Sequence, residues 1–253
     1  MSDKITRRRI ITTGLAAITG AAGLDAAAKI ADHYGLLAPD HEGIFGVGEA
    51  LTYGAQRLLT AHHSMAREFS RSEISTVSPV NHEHPDYDPY QRMLFNNFKD
   101  WRLYVDGLVA RPMAFSLNDL KSLPSRTNIT QLICEEGWSY IAAWTGVPLS
   151  LILNLVGASA KAKWVVFYPF NDFWGSIDIA EALHPQTLLA HGMNGEDLSP
   201  DHGAPIRLRV PRQLGYKNLK YIARISITDS LKNIGDGTGS AAPGIGYSWY
   251  GGI

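Results

Sequence analysis

One cysteine, Cys134, stands in a chain of 253 residues, and no other feature limits so sharply what this chain can fold into. An internal disulfide is impossible, and so are a CxxC zinc site, a cysteine-ligated iron–sulfur cluster and a CxxCH haem attachment. The fold must therefore be held by apolar burial. The composition allows it: 45% of residues are hydrophobic and 10% aromatic, the profile of one large globular domain or two small ones. With 23 Lys+Arg against 24 Asp+Glu the net charge is −1, which argues against a surface that coats nucleic acid.

The first 28 residues carry an address. Arg7-Arg8-Arg9 directly precede an uncharged apolar stretch from Ile10 to Leu24, and Ala26-Ala27-Ala28 close it. A positive region, a short apolar region and a small-residue end form an export signal. The apolar stretch is short for a stable membrane span, and the paired arginines point to the twin-arginine route into the periplasm. The remainder divides into a helical and loop lead-in over residues 29–93, a main domain over 94–232, and a Gly/aromatic-rich tail over 233–253. Apolar spacing through about 40–75 reads as helix lying against the main body. The proline-punctuated stretch from Ser75 to Pro89 reads as loop.

Within the main domain, strands are expected at 103–109, 129–134, 163–168, 206–210 and 221–228, from alternation and β-formers. Short helices are expected after Ser116, Pro148 and Asp178, the first from a Ser116/Asp119 capping box. Strands outnumber helices, so the fold class is α+β with mixed sheets and short helices.

Two constellations could carry chemistry. From His202 to Thr228 six basic residues occur (Arg207, Arg209, Arg212, Lys217, Lys220, Arg224) and no acidic one. In Ile206-Arg207-Leu208-Arg209-Val210 the two arginines share one strand face. Arginine forks followed by a glycine-containing loop suit an anion such as a phosphate, and a solvated strand face is the plainer reading. The second is Cys134, at a strand end before Glu135-Glu136-Gly137-Trp138. It is a buried inert thiol, a nucleophile, or a soft-metal ligand; the two glutamates raise a thiol pKa and so weigh against the nucleophile. The aromatic segment 168–175 is suited to wall a pocket. His62-His63 and His82-Glu83-His84 lack further ligands at a metal-site spacing, and no GxGxxG or Walker sequence supports a nucleotide.

Taken in order, these motifs resemble the sulfite oxidase-like, molybdopterin-dependent oxidoreductases, in their bacterial periplasmic branch near the methionine-sulfoxide reductases. The similarity runs from about Leu94 to Leu231. It rests on Trp101-Arg102-Leu103-Tyr104-Val105-Asp106-Gly107, Cys134-Glu135-Glu136-Gly137-Trp138-Ser139, Trp144-Thr145-Gly146-Val147-Pro148, His202-Gly203-Ala204-Pro205-Ile206-Arg207 and Gly215-Tyr216-Lys217-Asn218-Leu219-Lys220. The resemblance implies a sulfite oxidase-type fold and a Mo-molybdopterin cofactor, one Mo per chain, with Cys134 as catalytic thiolate and metal ligand. It implies pterin contacts at Asn96, Lys99 and Asp100, and cofactor-holding roles for His202, Arg207 and Asn171. Lys217, Asn218, Leu219 and Lys220 would cradle the phosphate. It further implies a small-molecule substrate and a separate electron-transfer partner, a membrane haem protein or cytochrome.

The departures bear on the substrate. Sulfite-oxidising members place arginines soon after the cysteine, where this chain has Glu135, Glu136 and Trp138. Reduction of an S- or N-oxide is therefore favoured over sulfite oxidation. A sulfite-oxidising enzyme and a metal-free exported binding domain on the same fold are the alternatives.

Overall fold

The computed structural model describes residues 29–31, 36–39, 46–59, 64–82 and 84–253. The export-signal expectation for residues 1–28, and Glu83, lie outside them. The elements are α1 (Gly46–Leu59), α2 (Asp88–Phe95), β1 (Arg102–Gly107), β2 (Met113–Ser116), α3 (Leu117–Ser122), β3 (Arg126–Ile133), β4 (Ser139–Pro148), α4 (Leu149–Val156), β5 (Trp164–Pro169), β6 (Gly175–Asp178), α5 (Ile179–Ala182), β7 (Leu188–Met193), β8 (Glu196–Asp197), β9 (Arg207–Arg209) and β10 (Ile222–Thr228). One sheet runs β2-β1-β10-β5-β6; the other runs β3-β4-β7-β8, with β9 also paired to β7. The first is mixed, because β1 and β10 are parallel, while the second is antiparallel throughout.

The local rules hold where they were strongest. Ser116 Oγ accepts from Asp119 N–H and Asp119 returns the bond to Ser116 N–H, closing the capping box of α3. Asp178 caps α5 by accepting from Glu181 N–H at 2.9 Å. Helix α4 starts after Pro148 and stops at Gly157, whose φ of 66° is the left-handed C-terminal stop. At Gly146 the β4–β7 register shifts, and a Cβ there would lie 2.2 Å from the Leu189 carbonyl oxygen. Only glycine permits that approach.

The lead-in differs from expectation. Helix α1 ends at Leu59, and residues 64–70 run extended along the β3–β4 hairpin, followed by one 3-10 turn at Arg71–Glu73, rather than as a continuous helix. Phe69 N–H donates to Ile129 O at 2.9 Å and Ser75 N–H to Ile141 O at 3.0 Å. The Gln186 side chain brackets Ala66 through both its N–H and its carbonyl. An open hairpin edge offers these backbone groups partners in an extended conformation, which outweighs helical spacing. Similarly, the loop after Ser75 gives way to α2 at Asp88, with Pro89 in its first turn.

The main cluster of buried residues lies between the sheets, around Trp101, Leu103, Trp144, Val165, Phe167, Ile206, Leu208 and Ile225. Helix α1 docks separately: Tyr53 packs against Trp249 of the tail. Arg57 bonds Asp178 and approaches Glu181 at 3.5 Å. Arg212 grips the same Glu181 with two bonds, Nε to Oε1 at 3.0 Å and Nη2 to Oε2 at 2.7 Å.

Burial lowers the pKa of His184, His191 and His202. Each is held neutral in the fold while the unfolded chain protonates near pH 6.5. The unfolded state therefore binds more protons below that pH. The stability these residues contribute is whole above about pH 6.5 and is lost as pH falls through their lower folded values. Thermal unfolding is expected at lower temperature at pH 5 than at pH 7; a midpoint flat across that interval would contradict it.

Candidate functional site

Strand β3 alternates, with Asn128, Thr130 and Leu132 inward. Cys134 continues that row one step past the strand and is buried at 5% exposure. The turn is closed by Cys134 N–H to Trp138 O at 2.9 Å and Gly137 N–H to Cys134 O at 3.2 Å, with Gly137 at φ 93°. Strand β4 then sends Tyr140 and Trp144 to the same interior, and Trp138 stacks on Tyr140 with centroids 6.1 Å apart.

Beneath this hairpin lie the arginines of β9. They share a face as expected, but the face is buried, not solvated: Arg207 is 5% and Arg209 1% exposed. Both guanidiniums lie over Trp144, at 5.1 and 5.3 Å from its ring centre. Arg207 donates to His202 O and Asn218 O, each at 2.9 Å. Arg209 is taken up by Asn218 Oδ1, Thr130 Oγ1 and Gln131 O.

A cleft with about 310 Å³ of empty space, its mouth included, opens among Cys134, Trp138, Tyr140, Asp201, His202, Arg207, Gly215 and Lys220. Gly203 makes the cationic side possible: it has φ 109°, and a Cβ there would lie 2.9 Å from Lys220 Cβ and Cγ and 3.2 Å from Arg207 Cβ. Burial, reinforced by Arg207, pushes the Lys220 ammonium down to about 8. Burial also pushes the Cys134 thiol up to about 11, with Glu135 and Glu136 adding to the rise against a backbone hydrogen bond at Glu136. The chain alone thus keeps this thiol protonated, which agrees with setting aside a free nucleophile.

Of the residues expected at a cofactor site, the fold brings Cys134, His202, Arg207 and Lys220 to one cleft. It does not bring the others to that wall. Lys217 turns inward, donating to Ser176 O at 2.8 Å and Trp249 O at 2.5 Å. Asn218 spends its amide on Arg209, Val210 N–H, Gln213 O and Leu214 O. Leu219 packs into the core, beside Gly175. Asn171 sits in an exposed turn, accepting from Phe173 N–H at 3.3 Å. Asn96, Lys99 and Asp100 lie in the turn after α2, where Asn96 Nδ2 donates to Asp100 Oδ2 at 2.6 Å. The basic run is likewise dispersed, since Arg212 serves Glu181 and Arg224 pairs with Asp106.

Conversely, Pro79, Val80 and Asn81 line the cleft without having been picked out by sequence. That loop is held by contacts distant in the chain: Lys220 Nζ donates to His82 O at 3.1 Å, and His202 Nε2 lies 3.3 Å from Ser78 O. His84 faces Asp201, with Nδ1 2.7 Å from Oδ1. Tyr140 was also missed, although its parity with Trp138 and Trp144 on β4 marks it.

The donor set suits an anionic cofactor bearing a soft metal. One thiol and several cationic or N–H donors share the cleft, and Arg207 Nε is buried without a hydrogen-bond partner in the chain. Among the described residues no cluster of three or more His, Cys, Asp or Glu could hold a metal by itself. Nor is any helix among them long and apolar enough to cross a membrane.

Comparison with known proteins gives the same direction. Residues 91–233 match the family described as oxidoreductase molybdopterin binding domain. An Azospira oryzae protein provisionally named as the protein-methionine-sulfoxide reductase subunit YedZ1 is 44% identical over 152 residues, 60% of this chain and 56% of the relative. The protein-methionine-sulfoxide reductase catalytic subunit MsrP of Xanthomonas axonopodis pv. citri is 34% identical over 160 residues, 57% of this chain and 50% of the relative. The chain thus spans about half the length of the curated relatives it matches. Among solved structures, the sulfane dehydrogenase SoxCD from Paracoccus pantotrophus aligns with a TM-score of 0.50 and 27% identity, covering 53% of this chain and 40% of that one.

Proposed function

This chain belongs to the family of oxidoreductase molybdopterin binding domains, and on that footing we propose that it is an exported, periplasmic molybdenum–molybdopterin oxidoreductase that removes oxygen from an S- or N-oxide. The observation that carries the reading is the meeting of one buried thiol with Arg207, Lys220 and His202 in a single cleft.

In this reading Cys134 holds the metal, and Arg207, Lys220 and His202 hold the anionic, hydrogen-bonding parts of the pterin. When bound, that group supplies two-electron redox chemistry and oxygen-atom exchange. The rest is the work of the chain. With its pKa raised by burial, Cys134 would serve as a soft-metal ligand only after giving up its Sγ proton. Trp144 and Asn218 keep the arginines in place by holding them from behind. Trp138 and Val80 give the cleft an apolar wall suited to the carbon side of a sulfoxide, while Glu135, 3.5 Å from the thiol sulfur, disfavours a dianion such as sulfite. The relatives' names specify methionine sulfoxide within proteins, so a thioether S-oxide is the first substrate class to test. Electrons would come from a separate redox protein, a membrane haem protein or a cytochrome.

The test is metal analysis of protein made in a cofactor-competent host, followed by a reductant-coupled screen of S- and N-oxides beside sulfite oxidation. About one molybdenum per chain and turnover of an S-oxide are expected. Absence of both molybdenum and pterin would overturn the assignment, and sulfite as best substrate would overturn its direction.

A further inference from the structure

Behind the cleft, Arg209 is fully buried and is not part of the cleft wall. Its guanidinium is held by neutral acceptors: Asn218 Oδ1 at 2.7 Å, Thr130 Oγ1 at 3.1 Å and Gln131 O at 2.5 Å. Such acceptors satisfy N–H groups but do not offset a buried charge. Arg207, its neighbour on β9, is held in the same way by His202 O and Asn218 O. Among the described residues neither arginine forms an ion pair. Asp201, the acid in the cleft wall, turns Oδ1 to His84 Nδ1 at 2.7 Å. Glu135, beside Cys134, accepts from Tyr216 N–H at 3.1 Å.

Two like charges therefore share one desolvated layer. Both guanidiniums lie over the Trp144 ring, and Asn218 joins them, its Oδ1 accepting from Arg209 and its backbone oxygen from Arg207. Burial, with Arg207 alongside, pushes the Arg209 guanidinium down to about 9, which leaves it charged at neutral pH. Arg207 lines the cleft, and its Nε is buried without a hydrogen-bond partner. We propose that Arg209 is a positioning residue: set behind Arg207 and tied to it through Asn218, its unopposed charge strengthens the hold of Arg207 on an anion in the cleft. The proposal rests on the reading of this cleft as the site of an anionic cofactor, and adds to it a second cation that never touches the anion. In a water-poor layer a charge one side chain behind a ligand is far less screened than at the surface. The ligand then supplies the counter-charge missing from the chain, and its binding relieves the repulsion between the two arginines.

Binding of inorganic pyrophosphate to the full chain prepared without cofactor tests this, by calorimetry, with a melting curve for each variant. R209Q removes the charge but keeps an amide N–H for Asn218 Oδ1. T130V removes one acceptor and keeps the charge, and R209K keeps the charge on a different head. Pyrophosphate is expected to bind R209Q about tenfold more weakly than the native chain. T130V and R209K are expected to stay within about threefold of native. If Arg209 were only a brace between β3 and the Asn218 turn, T130V and R209K would lose as much as R209Q. That result, an R209Q affinity within about twofold of native, or no binding by the native chain would overturn the proposal. If R209Q does not fold, R209K decides: near-native binding supports the role of charge, and a loss of about tenfold overturns it. Molybdenum content of protein made in a cofactor-competent host is measured separately, so failure of the cofactor reading leaves the pyrophosphate series standing.

Discussion

Replacing Cys134 with serine is expected to cut molybdenum loading at least ~100-fold while leaving the fold in place. The loss follows from chemistry at one atom. A thiolate is a soft ligand that a metal can deprotonate, whereas a serine hydroxyl is hard and far less acidic. Even outer-shell changes at metal sites lower affinity about 10–100-fold, so removing the ligand should do no less. The fold survives because the replacement is nearly isosteric and the turn is held by backbone bonds, Cys134 N–H to Trp138 O and Gly137 N–H to Cys134 O. Burying a hydroxyl there costs about 1–3 kcal/mol. Metal analysis together with a melting curve separates the two effects. Native-level molybdenum in a folded Cys134→Ser protein would remove Cys134 from the metal site.

Glu181→Ala is expected to be the most destabilising single change outside the cleft, by about 3–5 kcal/mol. Glu181 is fully buried and receives both donors of Arg212, with Arg57 at 3.5 Å. Removing the carboxylate leaves Arg212 buried without its bidentate partner, and leaves Arg57 relying on Asp178. For a chain of this size each kcal/mol is about 2–4 °C in melting temperature, so a fall of roughly 6–20 °C is expected. The same substitution should loosen α1 and the extended segment at Ser64, because Arg212 Nη1 also donates to Ser64 O at 3.2 Å. Hydrogen exchange should rise there before it rises in β4 or β7. A melting temperature within about 2 °C of native would show that the network contributes little beyond its own desolvation.

Both predictions concern residues whose setting was unequally visible in the chain. The end of β3, the helix caps at Ser116 and Asp178 and the shared face of Arg207 and Arg209 follow from spacing within a few residues. Ser116 and Asp119 are three apart, and Cys134 is in phase with Leu132 and Thr130. The resemblance in ordered motifs marked Cys134, His202, Arg207 and Lys220, and these meet in the cleft. Glu181 and Arg212 carried no such mark, because residues 31 positions apart in sequence become partners only after α5 and the segment behind β9 have packed.

Lys217 and Arg212 show the limit of reading a basic run as one field. Side chains a few residues apart in a loop leave in different directions, and each takes the nearest unsatisfied carbonyl or carboxylate. For Lys217 these are Ser176 O and Trp249 O, and for Arg212 it is Glu181. The lead-in shows the same effect on the backbone: residues 64–70 have helical spacing, yet run extended where the hairpin edge offers hydrogen bonds.

Sequence alone determined the α+β class, the position of the one thiol at a strand end, and the exclusion of an internal disulfide or a cysteine-cluster metal site. These depend on local periodicity, capping and a count, none of which requires knowing what lies across the fold. Only the tertiary structure decided that residues 79–81 line the cleft, that Glu135 turns to the thiol, that Lys217 turns away to Ser176 and Trp249, and that Asn218 holds the arginines from behind. Those outcomes depend on which donors and acceptors become neighbours once two sheets have packed, and hydrogen-bond satisfaction across long sequence separations leaves no periodic trace in the chain.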